Sequence, residues 1–228
     1  MLTCRSTRPT RAPCGRRGRV SSVVICPNPM NEETRNLLHW RIASTSIGPS
    51  TARNMGPPGT IRAAQDFLAG LDLSRFAVGS EAKFRGLLDD ATHDLTACLP
   101  LGAQNWGPAR KFLNIFLRGV VYNKYLCSFH DLDPIEGWLE VPLDKEVARG
   151  LRDEVGGDEL PLWMTVKRLE PHESSIYQTF AAVIAADKGI YRVHLDLYYW
   201  RKNKRADNKS FQPTRARAGA KRRPAHGG

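Results

Sequence analysis

From residue 33 to residue 200 apolar side chains recur mostly at steps of three and four, which predicts helices. Leu37, Leu38 and Ile42 share one side of a short helix over 33–43. Residues 46–60 are dense in Gly and Pro and read as a loop. Thr60 stands as the cap of a helix that carries Ile61, Ala64, Phe67, Leu68 and Leu71 at helical spacing. Ser80 caps a longer helix to about Leu99, with Phe84, Leu87, Leu88, Ala91, Leu95 and Cys98 on one face.

The stretch 107–127 differs from these. Gly107 and Pro108 open it, and it is apolar nearly all round: Phe112, Leu113, Ile115, Phe116, Leu117, Val120, Val121 and Leu126. Such a helix belongs at the centre of a bundle. Its polar strip holds Lys111, Asn114 and Arg118, then Tyr122 and Tyr125, at steps of three and four. After a loop over 128–141, Asp144 caps a helix that turns Val147, Leu151 and Val155 inward. "GGDELP" breaks that helix, and "LWMTVKRL" reads as another short one. Over 172–189 Ile176, Phe180, Val183 and Ile184 face inward, and Gly189 is the stop. "IYRVHLDLYYW" fits a strand by alternation and a helix by its Ile190, Val193, Leu197, Trp200 stripe; a lone strand would have no partner, so helix is expected. The class is all-α, a single helical domain over 31–202, without internal repeats.

Composition fits a globular chain: 228 residues, 41% hydrophobic, mean hydropathy −0.41. The net charge of +11 suggests nucleic acid until its placement is examined. Residues 1–30 carry six Arg and no acid; 201–228 carry ten Lys or Arg and one Asp. The intervening chain has 18 basic and 22 acidic residues, a net of −4, so any nucleic-acid site there must be a local patch. Cys4, Cys14, Cys26, Cys98 and Cys127 are odd in number and widely spaced, without a C-x-x-C pair or zinc spacing. Cys98 and Cys127 read as buried thiols of a cytoplasmic protein. No apolar run approaches the roughly 20 residues that span a bilayer.

Residues 1–30 and 203–228 have the composition of disordered basic segments. The first could bind nucleic acid as a basic arm; the favoured reading is a mis-chosen start, because Met30 opens "MNEETRNLLHW" and composition turns globular there. The second contains "NKSFQPT", which resembles the tail of many proteins encoded by bacterial integron gene cassettes. That resemblance implies a mobile bacterial gene of accessory function. The longer pattern of "SIGPSTARNMGPPGT", "ARKFLNIFLR" and "WLEVPLD" resembles a bacterial family of helical proteins and brings no chemistry with it.

Phosphate-loop, dinucleotide, nucleophile-elbow and H-E-x-x-H motifs are all missing, and neither a metal nor a cofactor is expected. The Arg/His spacing of helical ribonucleases is matched neither at Arg35 and His39 nor at Arg85 and His93. What remains is an ordered set: a helix ending "CLP", a short "LGAQNWG" loop, a helix opening "PARKFLNIFLR", and then "VPLDKEVARGL". This order resembles the helix–hairpin–helix DNA glycosylase superfamily over roughly residues 84–155. The family hairpin has two glycines, where this chain reads "NWG". The resemblance implies a DNA-binding or DNA-repair-like protein. Its lyase members use a Lys nucleophile assisted by an Asp, which fall on Lys111 and Asp144. Trp106, Gly107, Arg110 and Arg118 are then the residues expected to meet DNA. An amine at a helix N-terminus, beside an arginine, is disfavoured in its charged form, as a nucleophile must be. Hairpin amides can bind a phosphate, and Trp106 can stack on a base.

A plainer account of the same residues stands beside this one. Asp144 is a good helix cap and nothing more, Lys111 is solvated or paired with an acid, and the tryptophans pack. The chain is then a non-catalytic helical interaction module carried on a mobile accessory cassette.

Overall fold

The computed structural model describes residues 30–156 and 158–200. Among them there are helices and turns and no strand. Expectations that fall on 1–29 and 201–228, namely the basic ends, Cys4, Cys14, Cys26 and "NKSFQPT", lie outside the described residues.

Asn31 accepts the backbone N–H of Thr34 at 2.8 Å and so starts α1, Glu32–Ser46. Ala43 is fully buried, whereas Leu37, expected inward, is 59% exposed. Thr60 is not the cap of α2, Thr60–Ala69; Gly59 takes that place at φ +94°, where a side chain would be strained. The Thr60 hydroxyl instead donates to the Pro57 carbonyl at 2.7 Å and closes the turn before the helix. Ser80 does cap α3, Glu81–Cys98, by accepting the Lys83 N–H. The face of α3 is as expected except at its last residue, Cys98, which is exposed.

The greasy stretch is two helices. α4, Trp106–Val121, stops where Asn123 accepts the N–H groups of Tyr125 and Leu126, each at 3.2 Å, and starts α5, Lys124–Phe129. α4 packs on α1, α2, α3 and α5. Phe112, Leu113, Phe116 and Leu117 are wholly buried, each removal from water contributing about 1.5–3 kcal/mol. They anchor the first of two apolar cores.

The second core collects Val147, Ala148 and Leu151 from α6, Lys145–Val155, with Tyr177, Ala181 and Ala185 from α7, Pro171–Asp187, and Leu195 and Tyr199 beyond. Of the expected inward face of α7, Ile184 is buried and Ile176 and Phe180 pack partly buried on this core, whereas Val183 is 58% exposed; Tyr177, Ala181 and Ala185 complete the inward face. Its stop is as expected, with Gly189 at φ +65°. The segment "LWMTVKRL" is extended except for a 3₁₀ turn at Val166–Arg168, and the 128–141 loop contains another at Asp133–Trp138. Residues 192–200 are helical, as 3₁₀ turn Arg192–His194 followed by helix over 195–200, but of the expected stripe Leu197 and Trp200 are exposed.

Polar bonds tie residues 138–144 to α7 and to the chain beyond it. Gln178 grips Val141 from both sides, accepting its N–H at 3.0 Å and donating to its carbonyl at 2.8 Å. Arg192 donates to the carbonyls of Trp138 and Leu139 at 2.7 and 2.9 Å. These bonds hold the strap 138–144 against α7 and the chain beyond it, and so fix where Asp144 stands.

Candidate functional site

α4 sends its second-turn lysine and its preceding arginine to different places. Arg110 is buried against α3 and the strap. Its Nε and Nη2 donate to the two oxygens of Glu140 at 2.8 and 2.9 Å, a bidentate pair. Nη1 reaches the Thr92 hydroxyl at 3.0 Å and Asp89 at 2.9 Å. Asn114 donates to Glu140 at 3.0 Å, while its own Oδ1 is buried without a hydrogen-bond partner among the described residues. Burial pushes the Glu140 carboxyl up, but the bonds and charge of Arg110 and the bond from Asn114 outweigh it, and the group sits below the ordinary glutamate range.

Lys111 points the other way, into a cleft of about 630 Å³ bounded by α1, the loop at Ser50 and Thr51, α4, Pro142 to Asp144, and the 195–200 helix. That volume is ample for a small organic ligand. Lys111 Nζ lies 3.4 Å from Asp144 Oδ2. The other oxygen, Oδ1, accepts the N–H groups of Glu146 and Val147 at 2.9 and 3.0 Å and caps α6. Asp144 is therefore both the cap and the lysine's partner, and the strap sets its height against α4. One face of α4 continues along the cleft through Ile115, Arg118, Gly119 and Tyr122. Arg118 pairs with Asp196 on the facing helix. Burial lifts the Asp196 carboxyl above the ordinary aspartate range, against the pull of Arg118, and the Asp144 charge adds to the lift. Burial likewise pushes the Tyr122 phenol up, and its hydroxyl meets His194 Nδ1 at 2.6 Å.

The remaining expected DNA contacts lie away from this floor. Trp106 is half-buried against the second core, with its ring 5.3 Å from the Arg110 guanidinium carbon. Gly107 is buried; a Cβ there would meet the Val166 carbonyl oxygen at 2.0 Å and Leu169 Cβ at 2.9 Å. Its missing side chain is therefore explained by the 166–169 backbone lying against α4. The turn glycine of the α3–α4 hairpin is Gly102, at φ +83°. Two hairpin amides are already used inside the turn, Ala103 N–H on the Pro100 carbonyl and Asn105 N–H on the Ala103 carbonyl. Asp196 is absent from the sequence-based expectations; its signal, an acid within the apolar stripe of "IYRVHLDLYYW", is legible only with α4 placed opposite.

Compared with protein-family models, curated proteins and solved structures, the chain matches none. No group of His, Cys, Asp and Glu suited to a metal occurs among the described residues, and no described helix is long and apolar enough to cross a membrane.

Proposed function

We propose that the cleft is a Schiff-base site for the open-chain aldehyde of an abasic deoxyribose in DNA, the centre of a DNA-repair-like glycosylase or AP lyase. The observation that carries this reading is the Lys111–Asp144 contact at 3.4 Å on the wall of a ligand-sized cleft. A lysine nucleophile needs a neighbour to take its proton and room for the sugar carbon to approach. Asp144 Oδ2 supplies the first, held steady because Oδ1 is locked by the α6 amides. The cleft supplies the second. Chemically, Nζ attacks C1′, its proton passes to Asp144, and loss of water leaves the imine.

Borohydride reduction of the imine tests it. The full chain incubated with an abasic-site duplex and borohydride gives a covalent adduct, and Lys111→Ala gives none. No adduct from the wild-type chain, or an undiminished one from Lys111→Ala, contradicts the reading.

A second reading has its own support. Arg110 and Arg118, both expected to meet DNA, are each paired with a carboxylate, and residues 31–200 are net acidic. On that reading the domain is a non-catalytic interaction module. It predicts a protein partner in a pull-down, no retained nucleic acid and no trapped adduct.

A further inference from the structure

A second set of side chains meets at the far end of the cleft, where α4 stops. Tyr122, the C-cap of α4, lines the cleft and is 44% exposed. It stands eleven residues beyond Lys111, about 16 Å along the helix, so the two do not share a reacting atom. Its hydroxyl is 2.6 Å from His194 Nδ1, and Glu136 Oε1 is 3.6 Å from the other ring nitrogen, Nε2. A carboxylate only accepts, so it favours the tautomer with the proton on Nε2. Nδ1 is then bare and accepts the hydrogen bond of the phenol. Glu136 and His194 come from separate 3₁₀ turns, Asp133–Trp138 and Arg192–His194, and those turns are fixed to each other. Arg192 ties them through the Trp138 and Leu139 carbonyls, and Gly137 admits the Tyr191 ring, 3.3 Å from where a Cβ would stand. The imidazole packs on both the Tyr122 and Tyr191 rings, with centroids 5.6 and 5.9 Å away.

A hydroxyl on a base, with the base oriented by a third group, is the arrangement of a nucleophile activated for group transfer. We propose that Tyr122, His194 and Glu136 form a second catalytic centre, one that transfers an acyl group from a neutral carboxylic ester to water. Tyr122 is the nucleophile, His194 the general base, and Glu136 the positioning residue that holds the ring. Charge favours a neutral ester over a phosphate ester. Arg118, one turn before Tyr122 on the cleft face, is already paired with Asp196, and Glu136 stands behind the imidazole, so no net positive charge awaits an anion. Arg118 engages Asp196 through Nη1; Nε and Nη2 have no hydrogen-bond partner among the described residues. They can donate to an oxyanion that develops only during reaction. Ile42, Ile115 and Leu197 line the same cleft and suit an aliphatic acyl chain.

The Tyr122 oxygen attacks the carbonyl carbon, its proton moves to His194 Nδ1, and the C=O π pair moves to oxygen. Glu136 steadies the imidazolium. The oxyanion re-forms C=O, the bond to the alkoxy oxygen breaks, and the leaving alcohol takes the proton from Nδ1. Tyr122 is left as an aryl ester. Water then adds to that ester and gives a proton to Nδ1. The phenolate leaves with the bonding pair and recovers that proton. One carboxylic acid and one alcohol are released, and the three side chains return to their starting state.

The test is hydrolysis of p-nitrophenyl acetate, butyrate and octanoate by the full chain, with mass spectrometry of the quenched protein, for the wild type, Tyr122→Phe, His194→Asn and Glu136→Gln. Circular dichroism is measured beside it. The wild type should release a burst of about one nitrophenol per chain and carry the acyl group on Tyr122. Hydroxylamine should remove that group, because it cleaves an aryl ester and leaves a lysine amide intact. Tyr122→Phe should lose the burst, and His194→Asn should slow it about a hundredfold, as loss of a general base does. Glu136→Gln should lower kcat and leave KM unchanged. No burst from the wild type overturns the proposal, as does an undiminished burst from Tyr122→Phe or His194→Asn, or an acyl group found only on lysines. An unchanged kcat in Glu136→Gln overturns the role of Glu136. Should His194→Asn or Glu136→Gln fail to fold, Tyr122→Phe, which loses only a hydroxyl, and the position of the wild-type acyl group decide. Borohydride trapping at Lys111 is a separate measurement, and either centre stands or falls without the other.

Discussion

Asp144 divides its carboxylate between two partners: Oδ1 caps α6 through the Glu146 and Val147 amides, and Oδ2 faces Lys111 Nζ at 3.4 Å. The two duties separate by substitution. Asp144→Asn keeps an oxygen for the amides, and its stability in urea should stay within about 0.5 kcal/mol of wild type, while trapping on abasic DNA falls. Asp144→Ala loses both, at about 1 kcal/mol of stability. Equal destabilisation by Asn and Ala would show that the cap contributes nothing.

The Arg110–Glu140 pair should behave as a structural bond. Both side chains are buried, and removing one partner strands the other's charge. Glu140→Ala should cost about 3–5 kcal/mol in urea denaturation. A loss under about 1 kcal/mol would contradict this. Because the folded Glu140 carboxyl lies below its ordinary range, its contribution is full above that range and fades as pH falls through the depressed value. Part of the acid destabilisation of the wild type should therefore be missing from Glu140→Gln.

A histidine gives the corresponding effect nearer neutrality. His39 stacks on Phe116 with centroids 5.5 Å apart, and its Nε2 meets the Leu68 carbonyl at 2.8 Å. Burial lowers its pKa from the ordinary 6.5, outweighing that bond. The folded chain thus prefers neutral His39; its contribution is present above pH 6.5 and is lost as pH falls through the lowered value. His130, lowered by burial and by His39, acts in the same direction. Proton NMR of the His39 ring should give a midpoint below 6.5. A midpoint above it would reverse the direction of the effect.

Two glycines should respond oppositely to alanine. Gly107→Ala forces a methyl onto the Val166 carbonyl oxygen and should cost about 1–3 kcal/mol or more. Gly86, inside α3, has nothing within 4 Å of a built Cβ, and Gly86→Ala should stabilise by about 0.4–1 kcal/mol. Thermal melts of the two variants moving in the same direction would contradict this packing.

Local signals are legible in the sequence and distant pairings are not. Ser80, Asp144 and Gly189 mark helix ends because their chemistry acts within three residues. Asn123 is an equally local signal, masked because the helical spacing continues past it to Tyr125 and Leu126. Periodicity places Leu37, Val183 and Cys98 inward, but no element of the described chain covers those positions. A resemblance in the order of motifs pairs Lys111 with Asp144, and the two do lie together. Arg110 with Glu140, Arg118 with Asp196, and Gln178 with Val141 span 30, 78 and 37 residues, and nothing in local spacing announces which carboxylate or carbonyl an interior polar group will meet.

The most direct measurement is to find where a trapped adduct sits. Wild-type protein, reduced with borohydride on abasic duplex and digested, should carry the sugar remnant on Lys111, within the peptide that contains "KFLNIFLR". An adduct confined to other amines, such as the lysines of 201–228, or no adduct at all, would contradict the account.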